Sequence, residues 1–255
     1  MSARTSSGGG PRPPARGVVD LASRSLGIGL GVAAGVQLLP ALTSIAPLRR
    51  AVLPRLAGTS PRRHLALTFD DGPDPASTPH FLDLLADRGA TATFFVLGAF
   101  ARQEPTLLQD MVAAGHEIAV HGWEHDCLAA VPPGRLAGRL TRTREVVEDL
   151  TGSTALWYRP PYGVLTAEGL HAARRAHLRT VLWSAWGVDW SRTATPVSIV
   201  RTVSRSVRPG GTVLLHDTDR VAAPGSWRRT LEATGRLLDG WAGLGMPVGP
   251  LRDHW

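Results

Sequence analysis

The 255-residue chain contains no lysine, no asparagine and a single cysteine, and each absence excludes something. One cysteine cannot form an internal disulfide, so the sequence leaves the redox compartment open. That cysteine, Cys127, stands two residues after a histidine, but a lone cysteine is more often a small packed side chain than a ligand. Without asparagine the chain has no acceptor for N-glycosylation. Without lysine, every strongly basic side chain is an arginine.

The arginines are unevenly distributed along the chain. Residues 1–63 carry nine arginines and one acid, Asp20, whereas residues 64–255 carry nineteen arginines and twenty acids. The net charge of +7 therefore belongs to the N-terminal quarter, and the remainder is nearly neutral. A nucleic-acid-binding domain would spread basic residues over a folded face, together with aromatic residues for stacking. We therefore expect no nucleic-acid partner.

The N-terminal quarter divides into three segments by composition. Residues 1–24 are basic and rich in Ser, Gly and Pro, which predicts disorder. Residues 26–48 form an uncharged run that is long enough to span a bilayer. Four glycines and Pro40 make this run only mildly apolar. We expect a signal anchor or a signal peptide over residues 25–48, with a buried soluble helix as the alternative, and hence possible membrane association through this segment. Residues 49–63 are expected to form a basic linker.

From residue 64 onward, strand-like runs alternate with helical patterns, which predicts one domain over residues 64–255. The strand-like runs are His64–Phe69, Thr91–Leu97, Glu117–His121, Ala155–Tyr158, Thr180–Ser184, Thr212–His216 and Met246–Leu251. Seven strands separated by helices indicate a parallel sheet covered by helices, either a barrel or a doubly wound sheet. In such a barrel the reactive side chains lie at the carboxyl ends of the strands.

The first of these strands ends at two adjacent carboxylates, Asp70 and Asp71, and Gly72-Pro73 breaks the strand directly after them. In a continuing strand the two side chains would point to opposite faces, whereas a break lets both point into one site. Two carboxylates held close together call for a nearby cation or a shared proton. On this stretch alone, a solvated turn is the simpler interpretation.

The other strand ends also carry reactive side chains. The third ends at His121, and His125 follows four residues later; the sixth ends at His216. One carboxylate and two histidines can form an open metal site with three protein ligands. The zincin pattern is absent because Glu124 stands in the wrong place. Since this histidine pair and the paired carboxylates both follow strands, we expect a metal site where they meet.

In these motifs the chain resembles the NodB-homology polysaccharide deacetylases, carbohydrate esterase family 4. The five ordered motifs of that family match Thr68–Gly72, His121–His125, Arg159–Gly163, Asp189-Trp190 and Val213–His216, within residues 64–251. The resemblance implies an α/β fold, a distorted (β/α)7–8 barrel of the NodB type. The chain departs from the family at Gly122, where relatives usually have Ser or Thr, and at Ser184 and Trp186, near which relatives often have further acids.

The resemblance also implies a role for individual side chains. Asp70 would be the general base, oriented by Arg159, and His216 would be the general acid, tuned by Asp189. One divalent metal ion is implied, with zinc favoured and cobalt, nickel or manganese as alternatives. Its ligands would be Asp71, His121 and His125. Three further residues would contact the substrate or the oxyanion: Tyr162, Trp190 and Leu215.

The implied activity is metal-dependent removal of N-acetyl groups from an amino-sugar polymer, either peptidoglycan or a chitin-like oligosaccharide. Two alternatives use the same site, an O-acetyl esterase and a deformylase of a lipid-linked sugar. A third is an inactive, membrane-tethered glycan-binding module. The expected partner is an N-acetylated glycan, and we expect a monomer. By analogy with the family, the protein would be membrane-anchored or secreted, with its catalytic domain outside the cytoplasm.

Overall fold

The structure is a computed structural model that describes residues 46–132 and 134–255. The segment predicted for residues 1–24 lies outside the described residues, and so do residues 25–45 of the segment predicted for residues 25–48. Among the residues it describes, no helix is both long enough and apolar enough to cross a bilayer.

In the described part of the chain, eight α-helices are interspersed with eight strands. In chain order they are α1 (Ala46–Val52), β1 (Leu65–Asp70), α2 (Thr78–Asp87), β2 (Thr93–Leu97), α3 (Gly98–Gln103), α4 (Pro105–Ala113), β3 (Glu117–Gly122), α5 (Leu136–Thr151), β4 (Trp157–Tyr158), α6 (Ala167–Arg175), β5 (Arg179–Thr180), β6 (Ala185–Trp186), α7 (Pro196–Ser206), β7 (Thr212–His216), α8 (Ser226–Gly243) and β8 (Val248–Gly249). Short 3₁₀ turns cover Leu128–Ala130, Pro161–Gly163 and Leu251–Asp253.

The strands form one parallel sheet in the order β5-β4-β3-β2-β1-β7-β6, and β8 pairs with the first residues of β1. The two ends of this order, β5 and β6, are not paired with each other, so the curled sheet is not closed by hydrogen bonds. This confirms the predicted distorted (β/α)7–8 barrel. In the register, Asp70 lies opposite Phe95 on one side and His216 on the other, which brings two strand ends together.

Alternation along β1 separates two apolar layers. Leu65, Leu67 and Phe69 belong to the large core between the sheet and the helices. Ala66 points to the other side, into a small cluster inside the barrel with Phe95, Ala119, Trp157, Val181 and Leu251. Because side chains alternate, Thr68 and Asp70 share the inner face with Ala66. The inner face at the carboxyl end of the sheet is therefore polar.

The strand predicted over residues 180–184 is wrong in detail, because the structure has two short strands, β5 and β6, with residues 181–184 between them. In this gap the backbone N–H of Leu182 donates to the carbonyl of Leu56 at 2.7 Å. The carbonyl of Trp183 accepts a hydrogen bond of 2.7 Å from the side chain of Arg49. Polar backbone groups at the open end of a sheet need partners, and residues 49–56 provide them.

The predicted linker over residues 49–63 is therefore packed against the barrel. Arg49, Ala57 and Ser60 are buried, and the carbonyl of Gly58 accepts a hydrogen bond of 2.7 Å from Thr212. The arginines and prolines of this segment predicted a basic linker, and its contacts are made to residues far away in the sequence. Composition alone does not reveal such contacts.

Candidate active site

The two adjacent carboxylates lie on either side of one histidine. Asp70 is the last residue of β1, and Asp71 follows with a φ of 81°, a left-handed conformation that few residues other than glycine adopt. Asp70 Oδ2 is 4.0 Å from His121 Nδ1, and Asp71 Oδ1 is 3.2 Å from His121 Nε2. Both carboxylates are buried, with 2% of their surface exposed. The break at the end of β1 thus directs both side chains into one site.

Asp71, His121 and His125 form a cluster that fits a divalent cation. Their potential ligand atoms lie within 4.8 Å of one another, and His125 Nε2 is 3.4 Å from Asp71 Oδ1. That oxygen is buried and has no hydrogen-bond partner among the described residues. A buried anionic oxygen facing two imidazole nitrogens is compensated by a cation between them.

The pKa shifts of Asp71 and His125 are also consistent with a bound divalent cation. Burial by itself raises the pKa of Asp71, but the close imidazole of His121 and the charges of His216, His121 and His125 lower it to about 2. Burial lowers the pKa of His125, which favours its neutral imidazole. An ionised carboxylate and a neutral imidazole are donors that first-row divalent ions accept.

Asp70 is held by a buried arginine. Arg159 is fully buried, and its Nη1 donates to Asp70 Oδ1 at 2.6 Å and to Thr68 Oγ1 at 2.8 Å. Its Nη2 donates to the carbonyl of Leu182 at 3.0 Å, and its guanidinium lies 4.0 Å from the ring centroid of Phe95. Burial lowers the pKa of Arg159, and the charge of Asp70 opposes this change. The ion pair fixes one oxygen of Asp70 and leaves the other facing His121.

His216 is held by a second buried carboxylate. Its Nδ1 lies 3.0 Å from Asp189 Oδ1, and its backbone N–H donates to Asp189 Oδ2 at 2.8 Å. Thr230 also donates to Asp189 Oδ2, at 3.0 Å. Burial alone would lower the pKa of His216, but Asp189 above all raises it to about 10. His216 Nε2 lies 3.7 Å from Asp71 Oδ2, so this ring nitrogen faces the metal cluster.

These groups line one cavity of about 200 Å³. Its other walls are mainly aromatic: Tyr162, Trp183, Trp186 and Trp190, together with Pro160, Gly163, Leu214 and Val221. Tyr162 stands at the rim with 63% of its surface exposed, and its ring centroid is 4.5 Å from that of His125. The ring of Trp190 packs against Trp186 at 5.2 Å and against His216 at 5.4 Å. Trp186 is 40% exposed and lies at the cavity instead of in the core.

Leu215, predicted to contact the substrate, lies elsewhere. It is fully buried in the core between sheet and helices, and Leu214 lines the cavity in its place. The reason is alternation along β7, since Leu214 and His216 point to one face of the strand and Leu215 to the other. The position of His216 was sufficient to identify Leu214 from the sequence.

Two further residues of the site were not identified from the sequence. Trp183 could have been suspected, because tryptophans recur at 183, 186 and 190. Thr230 carried no signal, since it lies on α8, 41 residues after Asp189, and only the packing of α8 on the sheet brings it to that carboxylate.

Strained backbone also concentrates at this site. Four described residues other than glycine have positive φ angles; Asp71 (81°) and Tyr162 (59°) line the cavity, and Val188 (53°) directly precedes Asp189. Such conformations cost roughly 1–3 kcal/mol each and persist where the surrounding structure holds them. Asp71 directly follows β1, Tyr162 lies in the 3₁₀ turn after β4, and Val188 lies two residues after β6.

A protein-family model described as polysaccharide deacetylase matches residues 57–181. This range contains the carboxylate pair, both histidines of the cluster and Arg159, but ends before Asp189 and His216. The chain is 42% identical over 158 residues to the chitooligosaccharide deacetylase of Rhizobium leguminosarum bv. phaseoli, a match that covers 61% of this chain and 69% of the relative.

Two further proteins are similar. The peptidoglycan-N-acetylglucosamine deacetylase of Bacillus cereus is 34% identical over 162 residues, which cover 64% of this chain and 58% of that relative. The solved Bc1960 peptidoglycan N-acetylglucosamine deacetylase superposes with a TM-score of 0.73 at 28% identity, covering 82% of this chain and 96% of that structure.

Proposed function

The chain belongs to the polysaccharide deacetylase family, and on this basis we propose that it is a hydrolase that removes N-acetyl groups from an amino-sugar polymer. The substrate would be peptidoglycan or a chitin-like oligosaccharide, the substrate classes named for its relatives. One observation carries the proposal. A divalent-cation cluster, a carboxylate held by arginine and an imidazolium held by carboxylate all face one cavity.

Asp71, His121 and His125 would hold one divalent ion, with zinc as the first choice ahead of cobalt, nickel and manganese. When bound, such an ion supplies a Lewis acid that polarises the acetamide carbonyl and acidifies water. The chain's own residues then have to orient the substrate, remove one proton and supply another.

Asp70 is suited to accept the proton of the attacking water. Arg159 holds Asp70 Oδ1, while Oδ2 stays free on the side of His121. The water oxygen forms a bond to the acetyl carbonyl carbon as its proton passes to Asp70. The ion pair with Arg159 keeps this carboxylate in one orientation, so that no reorganisation is needed when the charge moves.

His216 is suited to supply the second proton. As the C–N bond breaks, its Nε2 donates to the departing amine nitrogen, and acetate and the free amino sugar result. Asp189 keeps the ring protonated and oriented before this step. The backbone N–H of Tyr162 would help to bind the oxyanion, and Trp190 would enclose the acetyl methyl group and disfavour larger acyl groups.

The test is acetate release by the full-length chain from N-acetylglucosamine oligomers and from peptidoglycan. Each assay is run as purified, after chelation, and after zinc or cobalt is restored. We expect chelation to remove the activity and the metal to return it, and Asp70→Asn to lose turnover while still binding metal. His171→Gln, a change on the exposed side of α6, is the matched control.

Other results would redirect the proposal. Acetate from neither glycan, with a folded and metal-loaded protein, would point to an ester, to a formamide or to a glycan-binding role. Activity that survives complete chelation would contradict metal dependence. Because polymeric acetylated glycans lie outside cells, we also propose an extracytoplasmic catalytic domain that acts as a monomer.

A further inference from the structure

The end of the barrel opposite the cavity has a distinct surface. All strands are parallel, so the segments that lead into them collect at one edge, and the cavity lies at the other. We call this surface the lower face. It consists of the exposed arginines and apolar residues in the segments that lead into the strands and in the C-terminal residues beneath the barrel. They are Arg55, Arg62, Arg63, Arg179, Arg208 and Arg252, with Val52, Leu53, Leu156 and Leu244.

The lower face is basic because its arginines are not neutralised. Within the described residues, none of the six guanidinium groups forms an ion pair with a carboxylate. Those of Arg62 and Arg252 donate to carbonyl oxygens, at 3.0 and 2.6 Å, and the backbone N–H of Arg252 donates to Glu117 Oε2 at 3.0 Å. In the segments that form the lower face, the exposed acidic residue is Asp253. Glu117 also lies beneath the barrel, but it is buried. At the cavity edge, by contrast, the carboxylate of Asp70 is paired with an arginine, Arg159.

The lower face also exposes apolar side chains. Val52 is 63% exposed and Leu244 is 77% exposed, and Leu53 and Leu156 are exposed as well. Eight large apolar side chains are exposed in the described residues, and three of the other four line the cavity. Exposed leucine and valine are thus concentrated where the unpaired arginines lie. A face built only to attract soluble anions would not need them.

Two recesses open on this face. One recess has a volume of about 550 Å³ and is lined by Arg55, Arg179, Trp157 and Trp255. The guanidinium of Arg179 lies 5.9 Å from the centroid of the Trp157 ring. The other, of about 320 Å³, is lined largely by apolar residues and has Arg208 at its edge. Arginine beside tryptophan, and an apolar recess beside a cation, are combinations found at the boundary between lipid headgroups and acyl chains.

We propose that the lower face docks on an anionic phospholipid bilayer, with the cavity opening away from it. Arginines bind the headgroup phosphates and the exposed apolar side chains enter the interface. In the sequence, the first residues of the face, Val52 and Leu53, follow shortly after the uncharged run that ends at residue 48. A glycan substrate would then reach the site from the side away from the lipid.

The test uses the full-length chain and two kinds of vesicle, phosphatidylcholine alone and phosphatidylcholine mixed with phosphatidylglycerol. The variant Arg55→Gln/Arg62→Gln/Arg179→Gln should weaken binding to the anionic vesicles roughly 100-fold, the usual effect of three basic residues at such a surface. Binding to neutral vesicles should not change. The matched control, Arg135→Gln/Arg192→Gln/Arg201→Gln, alters the net charge equally at exposed positions outside the lower face. Equal loss in both variants would overturn the proposal in favour of a net-charge effect.

A second measurement works even if residues 25–48 hold the protein on every vesicle. Phenylglyoxal modifies accessible arginines, and peptide masses report which ones reacted. On anionic vesicles we expect Arg55, Arg63 and Arg179 to be protected and Arg135 and Arg201 to react as in solution. Protection by soluble poly-glutamate but not by anionic vesicles would overturn the proposal and identify a polyanion-binding face instead.

Discussion

The carboxylate of Asp189 accepts two hydrogen bonds from His216, one from its backbone N–H at 2.8 Å and one from Nδ1 at 3.0 Å. The bond to Nδ1 leaves Nε2 as the ring nitrogen that faces the cavity. Asp189 is fully buried, so its charge acts on His216 with little screening. One carboxylate thereby sets the orientation and the protonation of the proposed general acid.

Asp189→Asn should reduce kcat roughly 100- to 10,000-fold, because the imidazole loses its orientation and its stabilising charge. Burial lowers the pKa of His216 and Asp189 raises it, so removing the charge must lower the pKa of His216. The alkaline limb of the kcat profile should therefore move to lower pH. Thr230→Val, which removes only a neutral hydrogen bond to Asp189, should have a much smaller effect. An unchanged alkaline limb in Asp189→Asn would argue against this role for His216.

Arg159→Met should lower the free energy of unfolding by about 3–5 kcal/mol, because it leaves the buried carboxylate of Asp70 without its cation. Adding Asp70→Asn should recover much of the loss, since the uncompensated charge is then gone. Urea unfolding of the two single variants and the double variant measures the coupling. Strictly additive losses would show that Arg159 stabilises the fold independently of Asp70.

Gly122→Ser, which restores a residue common in the family, should destabilise this chain. Gly122 has a φ of 145°, and a Cβ there would lie 3.1 Å from the carbonyl oxygen of Glu124. We expect a cost of about 1–3 kcal/mol and weaker metal binding, because the residue lies between the two histidines of the cluster. The control is Gly138→Ala, on the exposed side of α5 with nothing near its added Cβ, which should stabilise by roughly 0.5–1 kcal/mol. A neutral Gly122→Ser would mean that the loop can rearrange.

The stability of the fold should fall in acid because of buried histidines beneath the barrel. Burial lowers the pKa of His254 to about 4, and its Nδ1 lies 3.0 Å from that of His64, whose pKa burial also lowers. Between about pH 6.5 and pH 4 the unfolded chain binds a proton that the folded His254 excludes, so the stability decreases as pH falls through this window.

His254→Gln should remove part of this dependence, by about 2 kcal/mol between neutral pH and about pH 5. Urea unfolding at several pH values measures it, with the exposed His171→Gln as the control that should keep the full wild-type slope. Since burial lowers the pKa of His116 to about 4 as well, some acid sensitivity should remain in His254→Gln. If the free energy of unfolding of His254→Gln depends on pH as steeply as that of the wild type, other groups cause the loss of stability in acid.

The sequence by itself determined the alternation of strands and helices, the parallel barrel and the strand ends at which reactive side chains stand. These follow from periodicity and from local signals such as the break after Asp71, because the rules behind them act over a few neighbouring residues. The tertiary structure decided what depends on packing between distant segments. In the structure Leu215 is buried and Leu214 faces the cavity. The alternation of side chains along the strand that ends at His216 already predicts this from the sequence.

Other features had no local signal at all. Thr230 reaches Asp189 only because α8 packs on the sheet, and residues 49–56 cover the gap between β5 and β6 only because unpaired backbone groups lie there. The lower face likewise exists because parallel strands bring scattered arginines to one edge. Contacts between residues 41 and 134 positions apart depend on the whole packed chain, and no short stretch of sequence encodes them.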